Sequence, residues 1–142
     1  MSQTFSLQKS RALLKEQGFD TWIVEKPWNS YTKRREDLFN FIDLVGIRED
    51  RPGVIGIQAC GEDASSHTNK ILEGFVKDGK EFPPNPYIRT WLRAGNAFFI
   101  WAWRMRGAKG KRKTYQLREI QFVLKDGVVT AEENPHVEES AE

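Results

Sequence analysis

The chain has 142 residues, 39% of them hydrophobic and 30% charged, with a formal net charge of +2; this fits one soluble domain with a real core and a heavily charged surface. No apolar run approaches the ~20 residues that span a bilayer, and MSQTFSLQKSRALLKEQGF lacks the apolar stretch of a secretory leader, so no membrane and a cytoplasmic setting are expected. The single cysteine excludes an internal disulfide and a cysteine-rich zinc site and suits a reducing compartment, while His67 and His136 have no ligand partner at short spacing, which speaks against zinc.

Along the chain, Leu7, Ala12, Leu13 and Leu14 alternate with charges over residues 7–17 in a helical pattern that Gly18 stops. Residues 19–25 (FDTWIVE) are aromatic and β-branched and predict a strand. Pro27, Asn29 and Ser30 make 26–36 a loop. Residues 38–47 predict a second strand, REDRPG a turn, and 54–60 a short apolar strand whose glycines indicate close backbone approach. Over 63–77 the acids come first and Ile71, Leu72, Phe75 and Val76 follow, an amphipathic helix ending at Asp78-Gly79. FPPNP is a rigid connector, and 87–93 a short helix with Pro86 near its first turn.

Residues 97–105 (AFFIWAWRM) form the most hydrophobic strand, 107–113 a glycine-lysine hairpin tip, 115–124 a strand and 125–127 a turn. The expected fold is therefore an α/β sandwich of two or three layers, a central mixed sheet flanked by helices, in the order α-β-β-β-α-(α)-β-β. One domain would cover 1–130. Residues 131–142 carry Glu132, Glu133, Glu138, Glu139 and Glu142 with no base, and read as a solvated, disordered tail.

Without that tail the folded part is basic. Arg104, Arg106, Lys109, Lys111, Arg112, Lys113 and Arg118 follow one another with no acid between them, which points to a polyanionic partner. The Lys109–Lys113 cluster suits a phosphate-gripping finger, and Arg34 and Arg35 would add phosphate contacts. Trp91, Trp101 and Trp103 read as core or sheet-face packing, with a stacking platform for unpaired bases as the other reading.

Chemistry concentrates in REDLFNFIDLVGIREDRPGVIGIQAC. Gln58 and Cys60 lie two residues apart on one strand and share a face. If the neighbouring strand turns Asp43 to that face, an acid and an amide meet at one end of the sheet. Asp37, an even step before Asp43, would share the face unless a bulge intervenes. Asp43 can equally accept hydrogen bonds from a loop or pair with Arg34 or Arg35. Asp37 also suits a strand entry, Cys60 a small buried hydrophobe, and His67 and Lys70 the polar face of a helix.

A leading helix, a strand, an acid-bearing strand, a strand with two spaced polar residues and then a helix resembles the PD-(D/E)XK nuclease superfamily. RREDLFNFIDLVGI, IGIQAC and SSHTNKI are similar to small phage and bacterial proteins placed on that restriction-endonuclease-like fold, and the resemblance covers residues 5–103. It implies a D…QxC centre where the family has D…ExK. Asp43 matches the first metal-binding acid, Gln58 stands in place of the second, and Cys60 in place of the lysine. An acid of the first helix sometimes completes such sites, and Glu16 is the candidate. Gln58 can offer Mg²⁺ only a neutral oxygen, and Cys60 cannot supply an ammonium; Lys70, one turn into the next helix, is the residue placed to replace it.

The resemblance thus implies a Mg²⁺- or Mn²⁺-dependent DNA nuclease, or a nuclease-derived protein, acting through Asp43, Gln58 and Lys70. Many nucleases of this fold act as homodimers. The missing acid and lysine leave two rivals open: a nucleic-acid-binding module without chemistry, and a protein-interaction factor such as a phage inhibitor of a host protein.

Overall fold

Leu7, Ser10 and Leu14 fall on one stripe of the first helix, α1 (Phe5–Glu16), and all three are buried. That stripe covers one face of a mixed sheet in a computed structural model of the chain, which describes residues 5–29, 34–36, 38–39, 41–107, 110, 114–135 and 137–140. The other elements are β1 (Asp20–Ile23), β2 (Lys26–Asn29), β3 (Arg34–Glu36), β4 (Leu44–Arg48), β5 (Arg51–Cys60), α2 (Ala64–Glu73), β6 (Phe75–Lys77), β7 (Lys80–Phe82), α3 (Ile88–Arg93), β8 (Ala97–Arg106), β9 (Thr114–Lys125), β10 (Val128–Glu133) and β11 (Val137–Ser140).

The main sheet runs β1-β4-β5-β8-β9-β10, and β11 also pairs with β9. β5 and β8 are parallel, with Cys60 opposite Ala102, and every other pairing in the sheet is antiparallel. A parallel pair needs a crossover, and here α2, a β6–β7 hairpin and α3 provide it.

Alternation along β5 divides the interior in two. Ile55 and Ile57 join Leu7, Leu14, Leu44, Trp101 and Trp103 under α1. Cys60 joins Phe41, Ile42, Ala64, Ile71, Ile88, Phe98, Ile100 and Phe122 under α2 and α3. Helices on both faces of a mixed sheet make an α/β architecture. Trp103 Nε1 donates to the buried Ser10 Oγ at 2.9 Å and Trp101 Nε1 to Glu119 Oε2 at 2.7 Å, so both indoles bury their rings with their N–H groups satisfied.

Four elements differ from the sequence pattern. Residues 26–36 contain the small β2–β3 hairpin rather than a plain loop. The strand expected from residue 38 begins only at Leu44; before it, Phe39 takes φ 52 and Leu38 bridges Ile42, so Phe41 and Ile42 plug the core from a tight turn. The helix expected to residue 77 ends at Glu73. Gly74 has φ 83 and ψ −172, a region open only to glycine, and a Cβ there would lie 2.2 Å from the Phe82 carbonyl oxygen. The chain then turns into β6 and β7 through Asp78 and Gly79, both at positive φ, as a two-residue hairpin turn requires.

The fourth difference is the acidic end. Glu132 and Glu133 belong to β10, where they pair with Lys125 and Arg118, and β11 places residues 137–140 along β9. Cross-strand partners of opposite charge turn an apparently solvated run into sheet.

Candidate functional site

The β4–β5 register aligns Leu44 with Ile57, so the next step brings Asp43 beside Gln58. Asp43 N–H donates to the Ile57 carbonyl at 2.9 Å, and its own carbonyl accepts from Val24 and Glu25. Its carboxylate is buried, and Oδ2 accepts the Ala59 N–H at 2.9 Å. The acid just before β4 is thus tied to β5 at Ala59, between Gln58 and Cys60, by a side-chain to backbone bond.

Gln58 is 9% exposed, and its Oε1 is buried with no hydrogen-bond partner among the described residues. Buried amide oxygens are almost always satisfied, so an orphan of this kind marks a place where something else can bind. Gln58 lines a pocket of about 470 Å³ together with His67, Lys70, Ile71, Phe75, Phe82, Pro83, Asn85 and Pro86. The floor comes from β5, one wall from α2 and the other from the β6–β7 hairpin and FPPNP. Phe75 and Phe82 stack with centroids 4.6 Å apart, and the Lys70 ammonium lies 5.4 Å from the Phe75 ring centroid. Lys70 thus lines the same pocket as Gln58, its ammonium against the Phe75 ring.

Cys60 shares the face of Gln58 and is buried at the carboxyl end of β5. Burial first, then the charges of Asp63 and Asp43, push its thiol up to about 12. The thiol lies within 4.8 Å of the Asp63 carboxylate. Asp63 sits at the N-cap of α2 but makes no side-chain cap bond; its Oδ2 lies 3.0 Å from His67 Nε2 instead. The candidate ligand atoms of Cys60, Asp63 and His67 all lie within 4.8 Å of one another. This group can hold a metal ion, against the expectation that no histidine had a ligand partner at short spacing. The signal was C-x-x-D-x-x-x-H: a strand end, a helix cap, and one turn of helix.

Arg118 stands beside this group from β9. Its Nε donates to Glu133 Oε2 at 2.9 Å and its Nη2 to Ser65 Oγ at 3.3 Å, so its charge is shared with an acid. Arg106 pairs with Glu62, and Arg104 with Gln116.

The remaining expected site residues scatter. Glu16 is exposed on α1, and α1 covers the face of the sheet opposite to Gln58 and Cys60, so the structure does not bring it to Asp43. Arg34 and Arg35 lie in β3, with side chains outside the described residues. Asp37, Lys109, Lys111, Arg112 and Lys113 lie outside the described residues altogether. Trp101 and Trp103 are buried and Trp91 is half-buried, so they pack the sheet rather than offer bases a platform. Among the described residues, no helix is long and apolar enough to cross a membrane. Compared with protein-family models, with curated proteins and with solved structures, the chain matches none.

Proposed function

We propose that the chain is a metal-dependent DNA nuclease, or a DNA-processing protein derived from one, with a D…QxC centre completed by a lysine from the following helix. The observation that carries this reading is the buried, unpartnered oxygen of Gln58, a residue that neighbours Asp43 and lines one pocket with Lys70. A restriction-endonuclease-like reading of the fold is supported by α1, β1, β4 with Asp43 just before it, β5 with its QxC, α2 and the parallel β8 following in that order, the strands in one sheet.

The donor chemistry suits a hard cation: a carboxylate and an amide oxygen are the ligand types Mg²⁺ takes. Asp43 and Gln58 would hold the ion, which when bound polarises a phosphate and acidifies a water. Ala59 N–H holds the Asp43 carboxylate in place from one side. The Lys70 ammonium would neutralise the charge that develops on the phosphate, and the apolar walls from Phe75 and Phe82 would exclude competing water. The basic β8–β9 connection would hold the backbone of the substrate.

Cleavage of DNA in Mg²⁺ or Mn²⁺ that vanishes in Asp43→Asn tests the reading; undiminished cleavage in that variant sinks it. Gln58→Glu supplies the missing charge and is expected to raise activity at limiting Mg²⁺.

A second reading, a nucleic-acid-binding module without chemistry, is favoured by the resting position of Lys70 against Phe75 and by the neutral Gln58. It expects salt-sensitive DNA binding with no cleavage in any metal, weakened when Lys109, Lys111, Arg112 and Lys113 are neutralised.

A further inference from the structure

We propose that Cys60, Asp63 and His67 form a second metal site, for a borderline transition ion of the Zn²⁺ class rather than for Mg²⁺. The three donors arrive from one short stretch of chain: the last residue of β5, the cap of α2, and the first turn of that helix. Asp63 Oδ2 and His67 Nε2 are 3.0 Å apart and all three donors lie within 4.8 Å of one another, against the ~3.3–3.6 Å between donors of a tetrahedral zinc ion. The difference is small because Asp63 is exposed and His67 half-buried, so both side chains can close on the sulfur by rotation.

Donor chemistry decides the metal. A thiolate and an imidazole are poor ligands for Mg²⁺ and good ones for Zn²⁺, and with one carboxylate they carry the charge that neutralises a divalent ion. The orientation of Asp63 is the independent sign. An aspartate at an N-cap normally accepts an N–H of the first turn; this one faces Cys60 and His67 instead. The guanidinium of Arg118, nearby, does not oppose a cation with full charge because Glu133 pairs with it. His67 also lines the Gln58 pocket, so an ion held here would leave its remaining position to water or to a ligand in that pocket.

The site does not depend on the nuclease reading. Cleavage tests Asp43 with Mg²⁺, whereas sulfur ligation is read on Cys60, and either can fail alone.

Chelator-stripped full-length protein titrated with Co²⁺ is expected to take up one equivalent with a thiolate-to-cobalt charge-transfer band, displaced by Zn²⁺ and not by excess Mg²⁺. Cys60→Ser should abolish the band, and His67→Ala should weaken Zn²⁺ binding more than ~10-fold in competition with a chromophoric chelator. Circular dichroism melting of the metal-free variants shows whether they fold, and His67→Ala, at a half-buried helix position, carries the test if Cys60→Ser does not. Absence of the band in the parent protein, or Zn²⁺ affinity unchanged in His67→Ala, overturns the site.

Discussion

Asp43 and Cys60 are both buried, and each contributes to the fold in its own way. The Asp43 carboxylate accepts an N–H from the neighbouring strand, so Asp43→Ala leaves that buried donor unpaired. A loss of about 1–3 kcal/mol is expected in denaturant unfolding, with Asp43→Asn costing less because its oxygen can still accept. Comparing the two variants separates the structural part of Asp43 from any catalytic part. Cys60 is held neutral: burial and then Asp63 and Asp43 raise its thiol from 9.0 to about 12.

The sign of the linkage follows from that direction. The unfolded chain releases the proton from about pH 9, while the folded, metal-free chain keeps it until about pH 12. Stability contributed by Cys60 is thus complete below pH 9 and is lost as the pH rises through 12. Equilibrium unfolding of the metal-free protein across this range should show an alkaline decline that is smaller in Cys60→Ala. At pH 8 the folded thiol should alkylate far more slowly than a free cysteine.

Among the elements, the long periodic ones were legible in the sequence, and so was the face shared by Gln58 and Cys60. α1 follows from periodicity because it buries one stripe, and β5, β8 and β9 from their apolar, β-branched and aromatic runs, β5 and β8 being buried on both faces. The misread stretches are those where tertiary context overrides local pattern. Phe41 and Ile42 look like strand because they are apolar, yet a turn delivers them to the core; Glu132 and Glu133 look like tail because their partners, Lys125 and Arg118, sit on another strand. Cys60, Asp63 and His67 do not signal a ligand set singly; a strand end, a helix cap and one helical turn bring them together. Gly74 shows how much one residue can set. With its positive φ and the Phe82 carbonyl 2.2 Å from the place of a Cβ, Gly74→Ala must displace the β6–β7 hairpin that walls the pocket. A loss of about 1–3 kcal/mol in thermal or chemical unfolding is expected.

At the scale of the whole molecule, the sheet has two locally connected halves. β1, β4 and β5 pair in sequence order on one side, and β8 to β11 on the other. β9 pairs with β8 along one edge and with β10 and β11 along the other, so removing residues 134–142 exposes the Thr114–Leu117 edge. Such a truncation should lower the midpoint of unfolding and promote concentration-dependent association, read by light scattering.

The halves meet at the β5–β8 seam, whose closure must overcome the entropy of the long crossover between them. Cys60 is a seam residue, whereas Asp63 and His67 open the crossover. All three donors stand on the β5 side of that seam, within residues 60–67, so an ion shared by them would staple the end of β5 to the start of α2. Bound to the folded form alone, it would stabilise the protein by mass action, adding about 4 kcal/mol at a thousandfold excess over Kd. Metal supply would then set how firmly the crossover is anchored where it leaves the sheet, whatever chemistry the neighbouring pocket performs.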